Sequence, residues 1–332
     1  MKKTLFFVGY NFFALIVLLF ISELAVRLIK PEISVKGTTK SIIADSLYYS
    51  THGLRPLSSG TTNGASVSVD QYGYRKSSTK IDTSKASCLF LGDSVTFGIG
   101  VEDDSTFSAI VHSQIDSLNI LNPSASGNNI NSYWDIFRCL VIENRHNLKI
   151  SRVSLFWALN DVYTNVPDFE MPGGKLRYFF SDFITFIRIH SRLYHFVKTV
   201  AFDRPKSYYL FDKSFYNIEH PEFQNAIKKI YQMNDFCSER KIAFDIILLP
   251  YEYQLREGYF TPQNLMTEVL QNKMSVQEPF QNKRDKVSNF KAYFLYGDGI
   301  HFSTFGHRYI AKFLIDYFVN AREIGKFTSF TS

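Results

Sequence analysis

Cysteine is scarce in this chain. Three residues in 332 (Cys88, Cys139 and Cys237) are an odd number with no CxxC spacing, which argues against a disulfide framework. Cys88 falls in an apolar run and Cys139 in a helical pattern, so both are expected as small buried hydrophobes. A dense basic block is also missing. Lysine and arginine number 37 against 31 acidic residues, and the net +6 is spread along the chain, which excludes a nucleic-acid footprint. No His, Cys or carboxylate cluster has metal-ligand spacing, and Gly92 to Gly100 lacks the lysine of a phosphate loop, so neither metal nor cofactor is expected. There is no internal repeat. With charged residues at 20% and hydrophobic ones at 45%, the chain is not disordered and is long enough for one large core.

One long apolar run is present. Leu5 to Ser22 carries no charge, and as a helix its 18 residues rise about 27 Å, close to the hydrocarbon thickness of a bilayer. A cleaved signal peptide is the competing reading. It lacks a small-x-small site, because Glu23 stands two residues before Ala25 and Phe20 two before Ser22. Residues 1–30 are therefore expected as a retained single-pass anchor. Lys2 and Lys3 place its start in the cytoplasm and the bulk of the chain outside, with Arg27, Lys30, Lys36 and Lys40 weakening the asymmetry. Residues 31–84, rich in Ser, Thr and Gly, read as a polar stalk. Within it Val67 to Arg75 alternates and turns at Gly73, the pattern of a short lead-in hairpin.

From residue 85 strand and helix patterns alternate. Cys88–Leu91, Asn119–Leu121, Arg152–Trp157 and Ile242–Pro250 read as buried strands; Phe107–Leu118, Ile130–Asn144, Pro221–Arg240 and Thr304–Asn320 read as helices. This order predicts an α/β domain over 85–325 with a parallel sheet, followed by a frayed tail at 326–332. Residues 162–220 break the pattern with an aromatic helix, Tyr178 to Val200. It reads equally as an insertion that shapes a substrate site or as a helix packed on the sheet. Gln271 to Asn289 fits no element clearly.

The apolar run at Cys88–Leu91 ends abruptly in Gly92-Asp93-Ser94. A serine at the C-terminal end of a strand sits where open α/β sheets place their chemistry, which makes Ser94 the candidate nucleophile. A serine hydroxyl needs a base, and the base works better when a carboxylate orients it. Of 8 histidines, only His301 has its carboxylate three residues upstream within a glycine-flanked turn just before a helix, and that carboxylate is Asp298. His52 falls in the stalk, His112, His146, His190 and His195 in helical patterns, and His307 on the last helix, where packing or solvent roles are expected. Oxyanion donors are offered by the Ser94 and Gly127 backbone N–H groups and the Asn160 amide, each in a loop after a strand. Gly127 and Asn160 read equally as ordinary turn residues.

Together Gly92-Asp93-Ser94 with Thr96-Phe97-Gly98, Asn122 to Gly127, Ala158-Leu159-Asn160-Asp161 and Asp298-Gly299-Ile300-His301 resemble the four blocks of the SGNH (GDSL-type) hydrolase family. One residue departs from its pattern, Ala158 standing where the family has glycine. The nucleophile elbow Gly-x-Ser-x-Gly fits worse, because Thr96 stands where it needs glycine. The resemblance implies a three-layer α/β/α sandwich with a flavodoxin-like parallel sheet. It also implies ester cleavage through an acyl-serine, with Ser94, His301 and Asp298 as the catalytic set. A membrane-tethered member is similar to bacterial enzymes that add or remove O-acyl groups on cell-surface or exported polysaccharide. Four readings follow from it: an O-acetyl esterase acting on an acylated glycan, an O-acetyltransferase using the same acyl-enzyme, a lipase or lysophospholipase, and an inactive binding module.

Overall fold

The computed structural model describes residues 2–34, 37, 39–48, 51–164, 181–283 and 289–328. The chain opens with helix α1 (Lys2–Ile29), whose Phe6–Ile29 stretch has a mean hydropathy of 2.5 and is long and apolar enough to cross a membrane. Its last turns are tied down. Glu23 accepts hydrogen bonds from the Ser191 hydroxyl (2.8 Å) and from the backbone N–H groups of Arg192 (3.0 Å) and Leu193 (2.9 Å).

The stretch expected as a polar stalk is folded instead. Strands β1 (Ile43–Tyr48) and β2 (Thr51–Leu54) pair antiparallel, as do β3 (Ser59–Thr62) and β4 (Ala65–Ser68), and Val69 bridges Arg75 around the Gly73 turn. The sparse apolar residues of this stretch, Ile42, Leu54, Val67 and Val69, collect into a small core of their own against Phe97, Ile99 and Ala125. Arg75 locks it to the rest of the chain. Its buried guanidinium donates to the carbonyls of Phe97 (2.5 Å), Gly98 (2.6 Å) and Val101, and pairs with Asp103 (3.1 Å). Arg75→Met keeps the length of the side chain but strands these carbonyls and the carboxylate. It is expected to cost about 3–5 kcal/mol, the scale of a broken buried pair. Urea unfolding measures the loss, and a change below about 1 kcal/mol, the scale of an exposed pair, would show that the donors are dispensable.

The main domain is a five-stranded, all-parallel sheet. Strand β5 (Ala86–Leu91) leads into one helical turn, α2 (Ser94–Phe97), and helix α3 (Phe107–Gln114). Then come β6 (Leu118–Leu121), α4 (Ile130–Phe137) and β7 (Lys149–Trp157). The helix expected over Ile130–Asn144 widens after Phe137 into a π-helical turn, Arg138–Ile142, which carries Cys139. Beyond β7 lie α5 (Ser181–His190), α6 (Arg192–Ala201), α7 (Arg204–Lys213) and α8 (Pro221–Glu239). The chain closes with β8 (Ala243–Leu248), α9 (Glu252–Glu257), α10 (Thr261–Leu270), β9 (Ser275–Gln277) and α11 (Thr304–Thr328). The strand order β6-β5-β7-β8-β9 is the flavodoxin-like one, with a change of direction between β5 and β7.

Alternation along the strands makes three layers. Leu89, Leu91, Val153, Leu155, Ile246 and Leu248 pack with α4, α8 and α10 on one face. Cys88, Phe90, Phe156, Ile247 and Leu249 pack with α3 and α11 on the other. All three cysteines are free and buried. Two further expectations change. The aromatic helix expected over Tyr178–Val200 is two helices, because the Ser191 hydroxyl accepts from the Tyr194 N–H and starts α6 afresh; its first residues lie outside the described ones. The tail expected to fray after Gly325 continues α11 to Thr328, and residues 329–332 lie outside the described ones.

Candidate active site

Ser94 is the first residue of α2, three positions past the end of β5 at the reversal of the sheet, and is 8% exposed. Asp93 shapes the turn by accepting the Val95 N–H with Oδ1 at 2.8 Å, a helix cap that points Ser94 over the sheet edge. His301 comes from the loop before α11, more than two hundred residues on. Its Nε2 lies 2.9 Å from Ser94 Oγ, and its Nδ1 lies 2.8 Å from Asp298 Oδ1. The same carboxylate oxygen accepts the backbone N–H groups of His301 (2.8 Å) and Ile300 (3.1 Å), which fixes the turn from inside.

This arrangement sets charge as well as position. Burial alone would raise the Asp298 carboxyl, but the His301 charge and the hydrogen bonds to it bring it down to about 2. Burial works against charge on His301, yet Asp298 beside it prevails and lifts the imidazole above its ordinary 6.5. An imidazole whose Nδ1 proton is held by a carboxylate presents Nε2 to the hydroxyl as an acceptor, the geometry a general base needs.

The two donor loops reach the same edge. Asn160, in the turn after β7, donates through Nδ2 to Asp93 Oδ2 at 3.1 Å, the carboxyl oxygen that also lies 3.1 Å from Ser94 Oγ. Gly127 has φ +89°, a left-handed conformation that favours glycine. Its loop is stitched to the Ser94 turn: Asn122 Nδ2 donates to the Thr96 carbonyl (2.9 Å) and Asn128 Nδ2 to that of Gly92 (3.3 Å). Ala158 lies in extended backbone (φ −99°), which any residue adopts, with its N–H on Asp161.

Three residues at this edge escaped the sequence reading. Tyr251, just after β8, has its hydroxyl 2.9 Å from Asn160 Oδ1 and 2.6 Å from Asp212 Oδ2, and it accepts the Asn160 N–H at 3.1 Å. With Oδ1 engaged from behind, the Asn160 amide nitrogen is left to Asp93, the residue before Ser94. Burial pushes the Asp212 carboxyl up to about 6 against the hydrogen bonds from Tyr251 and Tyr163. The position of Tyr251 at the C-terminal end of a strand was the available signal. His52, assigned to a stalk, sits on β2 next to Gly127 and donates from Nε2 to the Ser126 carbonyl at 2.7 Å.

The other histidines serve packing or local bonding. His307 is fully buried, accepts the Phe107 N–H on Nδ1 (3.1 Å), and is pushed down to about 3 by burial. His112 bonds Ser77 and His146 bonds Tyr74. Among the described residues no group of three or more His, Cys, Asp or Glu is arranged to hold a metal ion.

No family model matches the chain, and no curated protein matches it. Solved structures do. One is a member of the lipolytic protein G-D-S-L family from Veillonella parvula DSM 2008, at 13% identity and TM-score 0.40 over 70% of this chain and 98% of that one. Another is the lipase/acylhydrolase from Enterococcus faecalis, at 13% identity and TM-score 0.41 over 70% of this chain and 94% of that one. A third is the psychrotrophic esterase EstA from Pseudoalteromonas sp., at 9% identity and TM-score 0.41 over 73% of this chain and 100% of that one.

Proposed function

We propose that the chain is a serine ester hydrolase that works through an acyl-serine intermediate. One observation carries this reading: the hydrogen-bonded line from Ser94 Oγ to His301 Nε2 (2.9 Å) and from His301 Nδ1 to Asp298 (2.8 Å). Ser94 Oγ attacks the ester carbonyl as its proton passes to His301. The oxyanion is held by the Ser94 and Gly127 N–H groups and the Asn160 amide. Collapse expels the alcohol, which takes the proton back from His301, and water then enters by the same steps in reverse to release the acid. Each step moves a proton or an acyl group, and the side chains at this edge suffice for it.

The substrate we propose is an O-acyl, in particular O-acetyl, ester on a cell-surface or exported glycan. The protein would be held in the cytoplasmic membrane by α1 with the sheet domain on the outer side. The hydrophobic α1 supports the anchoring, and Lys2 and Lys3 ahead of it support the side. A panel of p-nitrophenyl esters of increasing chain length tests the reading, alongside labelling by a serine-reactive fluorophosphonate. Labelling and a preference for acetyl are expected; no labelling and no turnover would return the chain to the binding-module reading. Adding an oligosaccharide acceptor separates hydrolysis, which yields acetate, from transfer, which yields acetylated sugar.

A further inference from the structure

The helices between β7 and β8 build a second feature beside the site. A groove of about 620 Å³, within the range of small-molecule sites, runs from the end of α1 at Pro31 to Asp298. Its walls include Arg188, Arg192, His195 and Arg204. Its two carboxylates are already engaged: Glu32 with Lys30, and Asp298 with His301. Among the described residues none of the three arginines pairs with a carboxylate. Arg192 Nη1 reaches only the Arg27 carbonyl at 3.4 Å, and Arg204 donates to the Tyr208 hydroxyl. Among the described residues Arg192 Nε is buried with no hydrogen-bond partner, a desolvated donor. Burial and the charges of Arg204, Lys198 and Arg188 all disfavour the charged form of His195, a sign of how cationic the groove is. Three uncompensated guanidinium forks around one space suit the several oxygens of a phosphate.

The groove meets an apolar trough on the same pair of helices. Leu19 and Phe20 of α1 and Ile187, Leu193 and Val197 of α5 and α6 line it. Ile187 adjoins Arg188 in sequence and Leu193 adjoins Arg192, so a ligand with both an anionic and an apolar part bridges the two surfaces over a short distance. The far end of the groove reaches Asp298, on the turn that carries His301 to Ser94. Arg204 and Pro205 begin α7 hard against the turn that carries Asp298 and His301, where a Cβ at Gly299 would lie 2.7 Å from Pro205 Cγ. Asp298 is both a wall of the groove and the partner of His301.

We propose that the ester substrate is carried on a phosphate-bearing membrane amphiphile, its phosphate held by Arg188, Arg192 and Arg204 and its apolar chain lying in the trough beside α1. The proposal rests on the ester-hydrolase reading and names the class of molecule that brings the ester to Ser94. A glycan attached to a lipid phosphate and a simple phospholipid share this chemistry.

The test uses the full chain in neutral detergent micelles and one acetyl ester in two forms, 2-acetoxyethyl dodecyl ether and 2-acetoxyethyl dodecyl phosphate. The phosphate form is expected to be favoured in kcat/KM by roughly tenfold or more, mostly through KM, the scale of one charge-assisted contact. The double variant Arg188→Gln, Arg192→Gln should lose that preference while hydrolysing p-nitrophenyl acetate as before, which also shows that it is folded. Equal preference in the two proteins would overturn the proposal. So would competition by inorganic phosphate as strong as that by dodecyl phosphate, since the trough would then contribute nothing. A binding arm separates the two readings: dodecyl phosphate should show a broadened 31P line with the wild type and not with the variant. Broadening without hydrolysis of any ester would sink the hydrolase reading and leave the phosphate site standing. Equal broadening by both proteins would sink the site.

Discussion

Ser94→Ala is expected to lower ester turnover by roughly 10⁴-fold or more while leaving thermal unfolding nearly unchanged. The size follows from the geometry. Ser94 Oγ is the atom to which His301 Nε2 and Asp93 Oδ2 both point, at 2.9 and 3.1 Å, and alanine leaves the imidazole with nothing to deprotonate. Residual activity would come from the amide donors and bound water alone, which is why the loss is large without being absolute. The fold should tolerate the change, because Asp93 keeps its cap on Val95 and its bond from Asn160. Steady-state rates on p-nitrophenyl acetate, with intact mass of the trapped acyl-enzyme, make the check. A variant that still accumulates an acyl adduct would mean that the nucleophile is another residue.

Asp298→Asn should be nearly as damaging, by up to roughly 10⁴-fold in kcat/KM, and it should also move the pH profile. The imidazole must be neutral to take the Ser94 proton, so wild-type activity rises with pH through a midpoint above 6.5, where Asp298 has lifted His301. Without the carboxylate, burial is the largest influence left on the ring, opposed by Asp93 and aided by Arg204, and the rising limb moves down. Asparagine can also donate to Nδ1, which would turn the other nitrogen, with its proton, toward Ser94. The stability difference has a definite sign. Asp298 is lowered to about 2 from 3.8, so its contribution is present above about pH 4 and is lost as pH falls toward 2. His301 is raised, so its contribution is full below 6.5 and fades as pH climbs through the raised value. Wild type should therefore exceed the variant most between about pH 4 and 6.5. Thermal unfolding of both proteins across that range reads the gap; a rising limb that stays put would separate Asp298 from the titration of His301.

The parts of this fold most open to reading were those whose causes lie in a few consecutive residues. The run Cys88–Leu91 closing on Gly92-Asp93-Ser94 states a strand and its exit, and Asp298 with His301 states a carboxylate and an imidazole within one turn. What could not be read depended on partners far along the chain. Ile42 and Leu54 look like stray apolar residues in a polar stretch until Phe97 and Ile99 supply their other wall. Ser191 looks like one polar residue inside an apolar helix, and the carboxylate that helps it break the helix comes from Glu23. Tyr251 and Asp212 carry no motif. Their relation to Asn160 exists only once β8, α7 and the turn after β7 have met.

The bonds from Glu23 also bear on how the protein can be handled. That single side chain receives the Ser191 hydroxyl and the N–H groups of Arg192 and Leu193, so the first turn of α6 is completed by a residue some 170 positions earlier. Trimming away the leading helix for the sake of solubility would leave those three donors bare and loosen the wall from which Arg192 projects. The leading helix is thus a structural component of the groove, and a shortened protein would report on a different binding surface from the one the whole chain presents.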